Sequence, residues 1–130
     1  LMYDLGSIGA AFISTAASFA GMSLVGFTTK KDLTTLGGQL RGALIGLIIA
    51  MLVNGFFLKS GPADMVLSFI TVVIFIGFTA YDTQKLKDLY TRYSGEQNLG
   101  ALAISGALSL YLDFINIFIG LLRIFGGGRD

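Results

Sequence analysis

Two aspartates stand inside or beside the most apolar stretches of this 130-residue chain, and they are its best candidates for chemistry. Asp82 ends the apolar run in "GFTAYDTQKLK", and Asp113 lies deep inside "SLYLDFINIF". An ionised carboxylate at the centre of a membrane costs at least ~2.5 kcal/mol on insertion scales, so it usually faces a bundle interior or water. Such residues commonly mark an ion or proton path, which makes this pair the candidate functional site.

The composition indicates that lipid surrounds most of the chain. Hydrophobic residues make up 54% and charged residues 13%, with a net charge of +1 and a mean hydropathy of +0.77. Soluble domains usually contain roughly 45–50% apolar residues. Cysteine and histidine are both absent, which excludes disulfide frameworks, thiolate nucleophiles and histidine metal sites, so we expect no cofactor. The near-neutral charge argues against a nucleic-acid-binding protein.

Four segments are apolar enough to cross a hydrocarbon core, which needs about 20 residues per helix. The sequence predicts spans at about residues 7–27, 40–58, 65–82 and 101–126, with charged loops such as "TQKLKDLYTRYSGEQNLG" between them. We expect residues 1–130 to form a single domain, an all-α polytopic transmembrane helix bundle. A soluble helical bundle is the alternative, but its helices normally show a polar face that these four largely lack.

Basic residues predict the orientation, because short loops rich in lysine and arginine favour the cytoplasm. The first and third loops, which share one side, hold more of them than the other side. The two sets are Lys30, Lys31, Lys85, Lys87 and Arg92 against Lys59, Arg123 and Arg129. This bias places the carboxy terminus outside. The first segment could instead be a signal peptide, but Asp4 stands where a basic region belongs, which favours a retained span.

Both aspartates belong to polar rows that follow one face of a helix. The row in the fourth span comprises Ser105, Ser109, Asp113, Asn116, Gly120 and Arg123. The row in the third span comprises Ser68, Thr71, Phe75, Thr79 and Asp82. We expect these faces to be contact faces with hydrogen bonds between helices.

The second span carries a different kind of row. Small residues recur there at every fourth position, as Gly38, Gly42, Gly46 and Ala50. This small-xxx-small pattern supports close helix packing in lipid and predicts a contact face.

The depths of the aspartates decide whether they can touch. At ~1.5 Å per residue, Asp82 lies about 26 Å and Asp113 about 20 Å from the outer ends of their spans. Helix tilt can absorb the difference of about 6 Å, so contact is feasible. Two carboxylates in one low-dielectric site cannot both ionise cheaply, and the pair tends to share a proton. Raising the pH would remove that proton, leaving like charges that push the helices apart or attract a cation.

Calcium is the cation that suits such a site, because it prefers hard oxygen ligands. Thr79, Ser109 and Asn116 could line the path and add neutral oxygens to the carboxylates of Asp82 and Asp113. Two carboxylates alone make a weak and transient metal site. Such a site fits conduction better than storage.

Four stretches of the chain carry a resemblance to a known family. They are "GFTTKKDL", "GLIIAMLVN", "FTAYDTQKLK" and "GALSLYLDFINIFIGLLRIFG". Together they resemble the carboxy-terminal part of the Bax inhibitor family, also called the transmembrane Bax inhibitor motif family, and are closest to its bacterial members. The resemblance covers essentially the whole chain. Family members have seven helices, so it implies that these four spans are the last four and that about three are missing.

The resemblance implies a pH-sensitive calcium leak of the bacterial inner membrane. In the family, an aspartate pair on the last two helices senses pH and gates the pore, and by motif position this pair is Asp82 and Asp113. An arginine on an early helix pairs with these aspartates in the closed state, and the segment that would carry it is absent here. The expected partners are therefore lipid, calcium ions and protons.

Two further functional classes stay open. Other bacterial relatives are described as modulators or substrates of a membrane-bound protease, so a non-conducting regulator of such a protease or of cell-death machinery is the second class. An intramembrane aspartyl hydrolase is the third. It is the weakest, because no other catalytic pattern accompanies the two aspartates, and we expect that the protein is not an enzyme.

Overall fold

The predicted all-α fold is confirmed by the computed structural model, which describes residues 5–59, 61–93 and 99–126. The helices in this part are α1 (Leu5–Thr28), α2 (Thr34–Val53), α3 (Gly61–Tyr93) and α4 (Leu99–Gly126). All four are long and apolar enough to cross a membrane. A helix satisfies its backbone hydrogen bonds internally, which is why so apolar a chain folds into helices in lipid.

The end of α2 departs from regular α-helix. A π-helical segment, Asn54–Leu58, continues α2, and Lys59 then stops it in the left-handed conformation with φ of 46°. The Lys59 N–H donates a hydrogen bond to the Asn54 carbonyl over 2.5 Å, which closes this widened turn. Pro62 lies in the first turn of α3, where its missing N–H needs no helical partner.

α3 extends well beyond the predicted span at residues 65–82. It is a 33-residue helix that includes most of the charged segment assigned above to a loop. The glutamine, lysine and leucine residues of that segment have good helix propensity. Leu86 also packs against α4, where a Cβ on Gly106 would lie 2.5 Å from its Cδ1. Asp82 therefore lies well inside α3 and not at its end.

α3 is the centre of the packing, since it contacts each of the other helices and makes its largest interface with α4. The two run antiparallel, because Leu86 meets Gly106 near one end and Val72 meets Gly120 near the other. On its α2 side, Ile74 and Phe78 form a small buried core with Leu47. Many large apolar side chains remain exposed on the outer helix surfaces, as expected where lipid is the solvent.

α2 packs on α3 through a different face from the predicted glycine row. Gly38, Gly42 and Gly46 are exposed, and a Cβ on any of them would meet nothing within 4 Å among the described residues. The contact runs instead through Gly37, which lies against the Tyr81 ring, and through the neighbouring leucines of α2. The prediction of a glycine contact face is thus wrong for the described helices. The bulkier leucines give more van der Waals contact with the α3 core than glycines could.

The polar faces of α3 and α4 lie in their shared interface, but their hydroxyls bond within each helix. Ser68, Thr71 and Thr79 are buried. Together with Thr83, each donates a hydrogen bond of 2.7 to 2.9 Å to the carbonyl four residues earlier. The expected bonds between helices are therefore replaced by bonds to the helix's own backbone, a pattern that serine and threonine often adopt.

α1 packs on both α3 and α4. Four phenylalanines join it to α4 with edge-on ring contacts, Phe12 and Phe19 from α1 and Phe114 and Phe118 from α4. It approaches α3 closely at Gly26, where an added Cβ would overlap the Ala80 backbone carbonyl. Only a residue without a side chain allows this approach.

Replacing Gly26 by alanine should destabilise the bundle. The new methyl group would collide with the Ala80 carbonyl, which cannot rotate away, so α1 must shift. Overpacking of this kind costs about 1–3 kcal/mol of unfolding free energy. Thermal unfolding in detergent micelles would measure the loss.

Gly21→Ala is the matched control on the same helix. A Cβ at Gly21 would meet nothing within 4 Å, and alanine is favoured over glycine within a helix by up to about 1 kcal/mol. Its stability should hold or rise. Equal losses in the two variants would contradict a specific contact at Gly26.

Candidate functional site

The structure brings Asp82 of α3 and Asp113 of α4 together. Asp113 is buried, with 4% of its surface exposed, and its carboxyl lies within hydrogen-bonding reach of the carboxyl of Asp82. Asp82 is only half-buried. The contact that the sequence left as feasible is present, while the role of the pair as a pH sensor stays a prediction.

The hydrogen bonding of Asp113 defines what the pair can do. Its Oδ2 atom is buried and accepts no hydrogen bond. An ionised carboxylate can only accept, so two facing carboxyls bond to each other only when one of them carries a proton. With both ionised, like charges would face each other inside the bundle and Oδ2 would stay unsatisfied, which is costly. The arrangement therefore favours a pair that holds one proton.

A cleft between α3 and α4 reaches Asp82. Its cavity volume is about 180 Å³, and its lining residues are Asp82, Lys85, Leu86, Leu89, Leu102, Ser105, Gly106 and Ser109. A water molecule occupies about 30 Å³ in the liquid, so the cleft has room for several. Asp82 thus lines this cleft, while Asp113 is not among its lining residues.

The other residues predicted to line a path fall in different places. Ser109 lines the cleft with Asp82. Thr79 is fully buried, and its hydroxyl donates to the Phe75 carbonyl over 2.8 Å. The Asn116 amide donates to the Leu112 carbonyl of its own helix. The structure therefore brings Ser109 to the cleft but neither Thr79 nor Asn116, and their pore-lining role stays a prediction.

Few other charged groups lie near the pair. Lys85 shares the cleft with Asp82, and α1 carries no charged residue along its described length. Within the described residues there is no group of three or more acidic side chains that could hold a metal. The transient calcium site predicted from the sequence therefore stays a prediction.

The opposite end of the α3–α4 interface carries an ion pair. Arg123 Nη1 lies 3.7 Å from Asp64 Oδ1, and both side chains are about half exposed. An exposed pair of this kind contributes at most about 1 kcal/mol. It nevertheless shows that Arg123, the last member of the predicted α4 polar row, pairs with α3 and lies far from Asp113.

Sequence reasoning missed two residues that follow Asp82 on α3. Gln84 had no predicted role, and Lys87 was assigned only to topology. Gln84 contacts the loop between α1 and α2, and Lys87 contacts the last turn of α1. Their spacing could have indicated this, because residues two and five positions after Asp82 point away from it on a helix with 3.6 residues per turn.

Four helices long and apolar enough to cross a membrane, with a carboxyl pair between the last two, define a polytopic helical membrane protein. Its family follows from the sequence as a whole. A family model described as "Bax1-I: Inhibitor of apoptosis-promoting Bax1" matches residues 1–130, and the chain belongs to this Bax inhibitor family. The family recognised from "YDTQ" and "LYLDFINIF" is thereby confirmed.

Several bacterial proteins are similar to the chain. The inner membrane protein YbhL of Escherichia coli (strain K12) is 49% identical over 136 residues, which cover 99% of this chain and 56% of YbhL. An uncharacterized protein of Caulobacter vibrioides is 47% identical over 131 residues, covering 100% of this chain and 52% of its own length. The protein YrjE of Lactococcus lactis is 47% identical over 133 residues, covering 100% and 56%. The chain spans about half the length of the curated relatives it matches.

Replacing Asp113 by asparagine should change how stability depends on pH. If the folded pair holds a proton above about pH 5, where separate unfolded carboxyls have already ionised, the folded state binds more protons than the unfolded state. The unfolding free energy should then fall as rising pH removes that proton, by at most about 1.4 kcal/mol per pH unit. In Asp113→Asn, the new amide can donate to Asp82, and the fall should disappear.

Thermal unfolding in detergent across the pH range would show this difference. Asp88→Asn is the control, because Asp88 is an exposed carboxyl on α3 and its removal should leave the slope unchanged. The same slope in the native protein and Asp113→Asn would mean that the pair holds no shared proton.

Proposed function

We propose that this protein is a pH-sensitive calcium leak of the membrane, gated by the Asp82–Asp113 pair. The observation that carries the proposal is the buried Asp113 carboxyl, which faces Asp82 and has no hydrogen bond at Oδ2. The two carboxyls can form a hydrogen bond only when one of them holds a proton, so this contact depends on pH. Membership of the Bax inhibitor family supports the same assignment.

The gating step follows from the two protonation states. With one proton shared, the carboxyls bond to each other and hold α3 against α4. Without it, two negative charges repel across a low-dielectric interface, and either the helices separate or a cation binds between the carboxylates. Calcium suits these hard oxygen ligands, and two carboxylates bind it weakly enough to let it leave.

The same proposal includes a location and an orientation. The relative YbhL of Escherichia coli is called an inner membrane protein, and we assign this chain to the bacterial inner membrane as well. The excess of basic residues in the first and third loops then places those loops in the cytoplasm and the carboxy terminus outside. The cleft that reaches Asp82 would open toward the cytoplasm.

A second candidate is a regulator that binds a membrane protease or another membrane protein and conducts nothing. The open glycine face of α2 favours it, because Gly38, Gly42 and Gly46 would let another helix approach closely. Such a protein should co-purify with its partner. It should also tolerate asparagine at both aspartate positions.

Calcium flux into proteoliposomes tests the leak directly. In the purified protein at its full natural length, flux should rise between about pH 6 and 8 by no more than tenfold per pH unit, the limit for release of one proton. Asp82→Asn and Asp113→Asn should each abolish the flux or its pH dependence, since a single carboxyl cannot share a proton with an amide.

Asp88→Asn, an exposed carboxyl on the same helix, is the matched control and should behave as the native protein does. No flux above empty liposomes, from protein shown to be folded, would overturn the leak and favour the regulatory role. Flux that persists with unchanged pH dependence in both asparagine variants would leave the leak without its proposed sensor.

A further inference from the structure

Two side chains just past Asp82 hold the end of α1 and the α1–α2 loop against α3. The Gln84 side-chain amide donates from Nε2 to the Lys31 carbonyl over 2.7 Å, and its Oε1 accepts from the Leu33 N–H over 2.8 Å. One side chain thus bonds both a carbonyl and an N–H of the loop backbone. Lys87 adds a bond from Nζ to the Phe27 carbonyl over 2.7 Å, and its ammonium lies 4.8 Å from the centre of the Phe27 ring.

These bonds satisfy backbone groups that the local structure leaves open. Lys31 and Leu33 lie between the helices, where no helical partner exists for their polar groups. Phe27 is in the last turn of α1, whose carbonyls also lack helical donors, and a lysine there interacts favourably with the helix dipole. Both side chains come from α3, from positions 51 to 60 residues away in sequence.

Two glycines of α1 and α2 pack closely against the same part of α3. Gly26 of α1 lies against Ala80, and Gly37 of α2 lies against the Tyr81 ring. Residues 80, 81, 84 and 87 therefore all contact the hairpin formed by α1, the loop and α2. Asp82 lies between them in sequence, yet it contacts Asp113 of α4.

We propose that Gln84 is a positioning residue that locks α3 to the α1–α2 hairpin and thereby sets how closely the Asp82 carboxyl meets Asp113. Lys87 supports the same lock. The consequence for gating rests on the proposed function: when the pair loses its proton, α3 cannot rotate alone, so α4 separates from a unit made of α1, α2 and α3. Without the lock, α3 itself can turn Asp82 away.

The substitution that tests this lock leaves the charges unchanged. Lys85 lies in the cleft with Asp82, and the charged groups around Gln84 on the hairpin side are Lys30, Lys31, Asp32, Lys87 and Asp88. At the level of the pair, α4 contributes Asp113, and α1 contributes no charge along its described length. Gln84→Ala removes two hydrogen bonds but no charge, so any change in proton binding must come from position.

Infrared titration of the purified protein at its full natural length provides the readout. The carbonyl band of the protonated pair is identified by its absence in Asp113→Asn, and its loss with rising pH gives a midpoint. In Gln84→Ala the midpoint should fall by roughly 0.5 unit or more, a threefold change in proton affinity, because the ionised carboxyls can separate more easily. Gln39→Ala, at an exposed glutamine of α2, should not move it.

A spin label in the loop shows whether the lock is open. The sequence contains no cysteine, so Lys30→Cys places a single label at an exposed residue of the loop. The label should be more mobile in Gln84→Ala than in Gln39→Ala. If Gln84→Ala does not fold, Gln84→Met, which keeps the length of the side chain but loses both hydrogen bonds and changes no charge, should shift the midpoint in the same direction.

The outcomes separate this inference from the proposed function. A shifted midpoint in a protein that conducts no calcium would support the lock and overturn the leak. If the loop becomes mobile but the midpoint does not shift, Gln84 holds the loop without affecting the aspartate pair. That result would overturn the inference. A loop that stays immobile in Gln84→Ala would also overturn it, because the two hydrogen bonds would then not hold the loop.

Discussion

The structure depends on a carboxyl buried between two helices without a donor for one of its oxygens. Asp113 lies in the middle of the α3–α4 interface, and tight contacts at Gly106 and Gly120 stand on either side of it along α4. Ile117, one turn further along, has no exposed surface. Among the described residues, the cleft between α3 and α4 is lined by Asp82 and not by Asp113. When both carboxyls are ionised, Asp82 repels the charge of Asp113. When one of them holds a proton, the two can share a hydrogen bond, and the repulsion is removed.

α3 connects this site to the rest of the bundle, because it contacts each of the other helices. One side of α3 contacts the hairpin of α1 and α2, where Gly26 lies against the Ala80 backbone and Gly37 lies against the Tyr81 ring. Another side of α3 packs against α4. The largest interface and the buried core both involve this helix. The relation between Asp82 and Asp113 is thus set by all four helices, although only two of them carry the aspartates.

The sequence predicted what depends on one helix at a time. Hydropathy located the four helices, and helical spacing placed Asp82 and Asp113 on polar faces that now meet. What it could not predict depends on partners distant in the chain. Gly37 and Gly38 are adjacent and chemically identical, and only the position of Tyr81 decides which of them is covered. Helical spacing shows that Gln84 points away from Asp82, but nothing local identifies the loop, 51 residues away, to which it bonds.

The hydroxyl groups of α3 and α4 have a mechanical consequence. Each of Ser68, Thr71, Thr79 and Thr83 donates to a carbonyl of its own helix, and Ser109 and Asn116 do the same on α4. A displacement of one helix along the other would leave these six bonds intact. Such a displacement would therefore cost no hydrogen-bond enthalpy from these groups. The hydroxyl groups therefore do not fix the register of α3 against α4, which depends instead on the contacts at Gly106 and Gly120 and on the aspartate pair.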